Sequence, residues 1–135
     1  MDFSSNYNKH ICSKGIRKKL IERFNQEFVN IIGCMMQQND MHKLLDLGCG
    51  EGFMLKHISD KFPHITLTGC DICEKAISMA QTQVPSADFL VCDGYSLPFP
   101  DKCFDIVVCS EVLEHVQEPS RIVAEISRVI RSSGG

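Results

Sequence analysis

At 135 residues, with 44% hydrophobic and 23% charged side chains, the chain has room for one domain around one core. A formal charge of −3 gives no general drive toward nucleic acid, no apolar run approaches the ~20 residues that span a bilayer, and the start lacks the apolar core of a signal peptide. A cytoplasmic protein with no nucleic-acid partner and no membrane span is expected.

Residues 1–14 are polar and read as a loose N-terminus. A single domain is expected over 15–135, with an N-terminal helix over 15–38 and a core over 43–135. In that helix apolar residues at 16, 20, 24, 28 and 32 return every fourth position, which is amphipathic spacing. Its opposite face holds Lys14, Arg17, Lys18 and Arg23, a solvated face or else a contact for an anionic substrate or RNA. Next, Leu44, Leu45 and Leu47 around Asp46 make a buried strand over 43–47. The strand runs into three glycines at alternate positions, Gly48, Gly50 and Gly52. Glycine suits such a turn because it accepts positive φ and lets a ligand approach the backbone. A helix over about 52–61 should bury Phe53, Leu55 and Ile58 before Pro63 stops it. A strand over 65–70, a helix over 74–83 ended by Pro85, and a strand over about 87–92 follow. The stretch 93–102, with Pro98 and Pro100, reads as a loop. The strand over 104–110 carries Ile106, Val107 and Val108 in succession, the pattern of a strand covered on both faces. A last helix from about 120 should bury Ile122, Val123, Ile126 and Ile130.

This alternation is the signature of parallel βαβ units, so the predicted fold is α/β, a Rossmann-like doubly wound parallel sheet with an extra N-terminal helix. In such a sheet every strand's C-terminal end lies on one rim. Asp46, Asp71, Asp93 and Glu111 all fall there. Buried carboxylates are costly unless paired or hydrogen-bonded, so a shared polar ligand explains the four acids better than packing does.

The eight cysteines are read as reduced, mostly buried thiols, since Cys70, Cys92 and Cys109 fall within apolar runs and no secretion signal accompanies them. Cys70 and Cys73 have CxxC spacing, but no second CxxC exists and His64 is the only nearby histidine. No metal is expected.

Asp71, following Asp46 by about one βαβ repeat, stands where a carboxylate accepts from both hydroxyls of a ribose, which points to a nucleoside cofactor. A dinucleotide fingerprint is G-x-G-x-x-G, whereas this chain has G-C-G-E-G, with Glu51 on the turn. An acid there would repel a pyrophosphate and welcome a cationic or zwitterionic end. A dehydrogenase therefore stands far behind.

On these residues the chain resembles a class I S-adenosylmethionine-dependent methyltransferase. LLDLGCGEG is similar to the family's glycine-rich first motif, GCDIC to its acidic second-strand end, and RVIRSSGG to its turn into strand five. VCDGYSLPFPDKCFDIVVCSEVLEHV resembles the branch that includes ubiquinone and menaquinone methyltransferases. The likeness covers about 43–135. It implies the N-terminal cofactor-binding part, strands one to four, with S-adenosylmethionine as cofactor and S-adenosylhomocysteine as product. By the resemblance Gly48, Cys49, Gly50 and Gly52 admit the methionine part, with Asp46 near its ammonium. Asp71 binds the ribose and Ile72 packs on the adenine. Asp93 accepts from the adenine amino group, Gly94 offers its amide, and Ser110 and Glu111 line the methionine side.

Each residue has a plainer role open to it: a tight turn for the glycines, a helix cap for Asp71, a turn for Asp93. His115 is the candidate catalytic base, or a solvated loop histidine. The implied activity is methyl transfer to O, N or C of a small-molecule acceptor. The other reading is a non-catalytic S-adenosylmethionine-binding protein or scaffold. Family domains continue through further strands, so a fragment is expected here. It would leave strand four as an edge for a second copy or a partner chain to cover.

Overall fold

The computed structural model describes residues 16–38 and 40–132. The loose segment over 1–14, the Gly134–Gly135 turn, and the side chains of Arg17 and Lys18 lie outside the described residues.

The first helix, α1 (Ile16–Gln38), buries Asn25, Val29, Ile32 and Gly33, positions spaced i, i+4, i+7 and i+8. The expected every-fourth stripe does not stay on that face. At 3.6 residues per turn a step of four winds about 40° past a full turn. Counting back from buried Ile32, Phe24 has turned off the face and is 45% exposed, and Leu20 is 60% exposed.

Four strands follow: β1 (Lys43–Leu47), β2 (Thr66–Asp71), β3 (Asp88–Val91) and β4 (Ile106–Val108). All pair in parallel, in the order β3-β2-β1-β4. The register sets Asp46 beside Gly69 on one side and Val108 on the other, and Asp71 beside Val91. β1 and β2 connect through α2 (Phe53–Lys61), and β2 and β3 through α3 (Glu74–Gln83). A 3-10 turn (Leu113–His115) and α4 (Pro119–Val129) follow β4. Proline at the start of α4 is favoured, because its missing N–H would have no partner in the first turn.

Alternation along β1 divides the core. Leu44 faces Val29 and Ile32 of α1, Leu55 and Ile58 of α2, and Ile77 of α3. Leu45 and Leu47 face Phe104, with Ile122 and Val129 of α4. Helices thus cover both faces, as a doubly wound sheet requires.

Several expected core positions change. Phe53 is 47% exposed and Met54 lies inside, because 54, 55 and 58 share one face of the helix and 53 points about 150° away from its middle. Val123 is exposed and Val129 buried, since the inward stripe of α4 is Ile122, half-buried Ile126 and Val129, and Ile130, past the helix end, is half-buried. The strand expected over 104–110 is paired only over Ile106–Val108, and Val107 is half-buried. Its outer side is bridged once, Phe104 to Ile130, with the Arg131 amide donating to Phe104 O at 2.8 Å.

The loop between β3 and β4 carries no helix. It is latched to α4 by Arg128, whose guanidinium donates to Leu97 O at 3.0 Å, Phe99 O at 2.8 Å, Asp101 Oδ1 at 2.8 Å and both oxygens of Glu125 at 2.9 Å. Glu125 in turn accepts from the Leu97 amide at 2.7 Å. At the opposite end of the sheet Asp105 accepts from the amides of His42 and Lys43 and from Arg131.

Candidate functional site

The glycine turn is closed within itself by Gly52 N donating to Cys49 O at 3.0 Å, and is also tied to the neighbouring strand. The Cys70 carbonyl accepts from Gly48 N at 2.8 Å and Cys49 N at 3.0 Å. Gly48, Gly50 and Gly52 have φ of 79°, 56° and 85°, a region L side chains rarely enter. Two of the three have a packing reason as well. A Cβ on Gly52 would stand 3.0 Å from Ala80 Cβ, so α2 and α3 approach through it, and a Cβ on Gly48 would stand 2.3 Å from Val112 Cγ2.

Asp71 closes the turn from β2. Its Oδ2 accepts from Gly50 N at 2.9 Å and its Oδ1 from Cys73 N at 2.8 Å, and the side chain is buried. The CxxC pair therefore flanks this carboxylate; its bond to Cys73 N is a side-chain turn ahead of the helix, and no side chain caps the helix amides themselves. Asp46 lies beside it at the end of β1, 3% exposed, and no donor reaches its carboxylate among the described residues. Burial, with the Asp71 charge added, pushes the Asp46 carboxyl up to about 7. Around it the Cys49 thiol is pushed well above its usual range by burial, and Cys109 to about 11 for the same reason. On the turn itself Glu51 is buried, and its Oε1 has no hydrogen-bond partner.

The remaining residues expected at the site lie along the same rim. Cys92 N donates to Asp71 O at 3.1 Å, which brings the end of β3 alongside. Asp93 follows, its Oδ1 accepting from Tyr95 N at 2.9 Å and Ser96 N at 3.2 Å, a side-chain turn that leaves the other oxygen without a donor among the described residues. Gly94 admits Ile122, whose Cδ1 would be 3.1 Å from a Cβ there. Ile72 leaves an apolar side chain 55% exposed between the two acids in sequence. Ser110 is half-buried and Glu111 exposed, and Glu111 holds a φ of 56°, a strained conformation for a residue with a side chain. His115 ends the 3-10 turn, exposed, its Nε2 3.7 Å from Glu114 Oε1. It is not drawn into the cluster around Asp46 and Asp71. Sequence reading passed over Val112 and Tyr95, whose roles are long-range contacts that no local motif announces.

A family model described as a methyltransferase domain matches residues 45–135. The chain belongs to this methyltransferase family. A demethylmenaquinone methyltransferase of Thermotoga maritima is 30% identical over 92 residues, 68% of this chain and 40% of that protein. A ubiquinone biosynthesis O-methyltransferase of Thiobacillus denitrificans is 33% identical over 98 residues, 68% of this chain and 41% of that one. The solved structure of a Pyrococcus horikoshii protein superposes with a TM-score of 0.69 at 27% identity, covering 92% of this chain and 57% of that chain. The chain thus spans about 40% of the length of the two curated relatives.

Family membership brings the cofactor class with it, S-adenosylmethionine. The methyltransferase rim described above fits that group. A buried carboxylate without donors and an orphaned carboxylate oxygen suit a ligand that carries positive charge and N–H groups, and would repel a pyrophosphate.

Proposed function

We propose that the chain is the cofactor-binding part of an S-adenosylmethionine-dependent methyltransferase that acts, in the cytoplasm, on O, N or C of a small-molecule acceptor. The observation that carries this reading is the bare pair of acids on the glycine turn, Asp46 without a donor and Glu51 with an orphaned Oε1. The names of the two curated relatives support a small acceptor.

In this reading Asp46 lies toward the cofactor's ammonium, and Gly48, Cys49, Gly50 and Gly52 form the turn against its methionine part. Asp71, already fixed by two backbone amides, keeps lone pairs for the ribose hydroxyls. Ile72 offers its exposed side chain to the adenine face. Asp93 accepts from the adenine amino group and Gly94 donates its amide. Ser110 and Glu111 border the methionine side. When bound, the cofactor supplies an electrophilic methyl group on a sulfonium. The protein's share is to hold the acceptor in line behind that methyl and to exclude water. His115 takes a proton from an acceptor that must lose one; its exposed place lets it do so without rearranging the buried acids.

The free side of β4 is proposed to be covered by a second copy or a partner chain, because an edge strand with buried Ile106 and Val108 invites pairing. Light scattering on the purified chain tests this, with a clean monomer counting against it. Calorimetric titration with S-adenosylmethionine, S-adenosylhomocysteine and NAD tests the main reading. Micromolar binding of the first two and none of the third is expected. Absence of binding by either sulfur compound would sink it, and binding without transfer to any acceptor pool would leave a binding protein.

A further inference from the structure

The segment between β4 and α4 carries, past Ser110 and Glu111 of the proposed methionine side, the proposed base His115, which makes 112–118 the acceptor side; little of it is buried. Glu111, Glu114, His115, Gln117 and Glu118 are exposed, and Glu111 sits in a strained conformation. Near the end of this segment the Glu118 amide donates to the hydroxyl of Tyr95 at 3.3 Å. Tyr95 belongs to the other side of the crevice. Its own amide donates to Asp93 Oδ1 at 2.9 Å, and its ring lies under the Arg121 guanidinium, 4.6 Å from the centroid. Arg121 pairs with Glu118 at 2.9 Å. One side chain therefore spans from the turn that presents Asp93 to the backbone that ends the acceptor segment.

We propose that Tyr95 is a positioning residue that couples occupation of the adenine end of the crevice to ordering of segment 112–118. The inference rests on the reading of Asp93 as an adenine-binding residue. A ligand on the free oxygen of Asp93 holds the turn 93–96 in one arrangement, because Oδ1 of the same carboxylate fixes the amides of Tyr95 and Ser96. The Tyr95 hydroxyl then has one place, and the Glu118 amide is held by it. Ordering already achieved at the donor end lowers the cost of ordering the acceptor end.

Hydrogen exchange of the chain with and without saturating S-adenosylhomocysteine tests this, beside calorimetry on the same samples. In the wild type the ligand should slow exchange across 112–118 by roughly fivefold, the scale of one exposed hydrogen bond. Tyr95→Phe keeps the ring and its stacked guanidinium. It should bind the ligand with affinity within about threefold of wild type while the slowing falls below about twofold. A purely structural hydroxyl would change exchange in the free protein and leave the ligand-dependent difference intact, which would overturn the proposal. Ligand bound by the wild type with no slowing at 112–118 would overturn it too. Arg121→Gln should keep the slowing; its loss there, with retention in Tyr95→Phe, would move the coupling to the guanidinium and refute the hydroxyl's role. If the wild type binds no ligand in the calorimeter, the cofactor reading itself fails and this inference with it.

Discussion

Two carboxylates in this chain have opposite fates. Glu125, on α4, accepts three hydrogen bonds, two from Arg128 and one from the Leu97 amide, and is held down to about 2, first by the Arg128 hydrogen bonds. Asp46, at the end of β1, accepts none from the described residues and is pushed up to about 7 by burial and by Asp71. The first is an acid used for construction and supplied with every donor it needs. The second is buried beside another acid, at a cost that a fold would avoid if it had no ligand to place there. Glu51 belongs with Asp46, its Oε1 sealed from water and unpartnered. The contrast separates structural acids from ligand-facing ones.

Asp71 lies between these extremes, and removing it should have the largest effect. Asp71→Ala takes away a carboxylate that would accept two charge-assisted bonds from the ribose, and strands the amides of Gly50 and Cys73. A loss of about 100-fold in S-adenosylhomocysteine affinity is expected, read by calorimetry. Binding within a few-fold of wild type would reduce Asp71 to a brace for the turn and remove it from the ligand-facing class.

The next effect in size is a pH dependence of opposite sign at the two acids. Folded Asp46 keeps its proton to a higher pH than the unfolded chain does, so its contribution to stability falls as pH rises from about 4 to about 7. Glu125 loses its proton more readily when folded, so its contribution is present above its ordinary 4.5 and is lost as pH falls toward about 2. The groups facing Asp46 are Asp71 and the thiols of Cys49, Cys70 and Cys109, and raised thiols stay neutral throughout the Asp46 range. Asp46→Asn should therefore stabilise the free protein by about 2 kcal/mol at about pH 8 and by little at about pH 4, measured by urea unfolding. Equal effects at both values would show that Asp46 is not a buried bare acid.

The acids were legible in the sequence because parallel topology sends every strand's C-terminal end to one rim, whatever else the chain does. The bounds of α3 were equally plain, set by the turn after Asp71 and by Pro85. The contents of the contrast were not. Whether an acid has donors depends on Arg128 reaching back across the loop to Leu97 and Phe99, or on Val112 standing over Gly48, and neither leaves a local pattern. The buried face of α1 was misjudged for a geometric reason, since a stripe of period four cannot follow a helix of period 3.6. Phe53 falls outside the buried face for a geometric reason too: at about 100° per residue 54, 55 and 58 share one face, and 53 points away from it.

Breaking the structural side of the contrast should cost less than touching the rim. Arg128→Ala leaves two loop carbonyls without a donor and Glu125 with one hydrogen bond, but the loop remains joined to α4 through Lys102 N to Arg128 O and Cys103 N to Val129 O. The melting temperature should fall by a few degrees and amide exchange should rise over 97–103, with ligand affinity little changed. A loss of affinity as large as that of Asp71→Ala would mean the latch is part of the site.

The smallest effect is expected where contacts are short but exposed. Lys56 Nζ donates to both oxygens of Asp60, at 2.7 Å and 2.9 Å, on the outer face of α2. By distance alone this carboxylate resembles Glu125. Its side chain is 62% exposed, however, so water competes for every bond. The order also works against it: the lysine precedes the acid, and Asp60 sits next to the helix's C-terminal end, where the backbone dipole disfavours negative charge. Asp60→Asn should change stability by less than about 0.5 kcal/mol, in either direction, and the difference should shrink in 1 M salt. If it cost more than about 1 kcal/mol, short contacts alone would explain Glu125 as well. The division of this chain's acids would then rest on distance, and the bareness of Asp46 would lose the meaning given to it here.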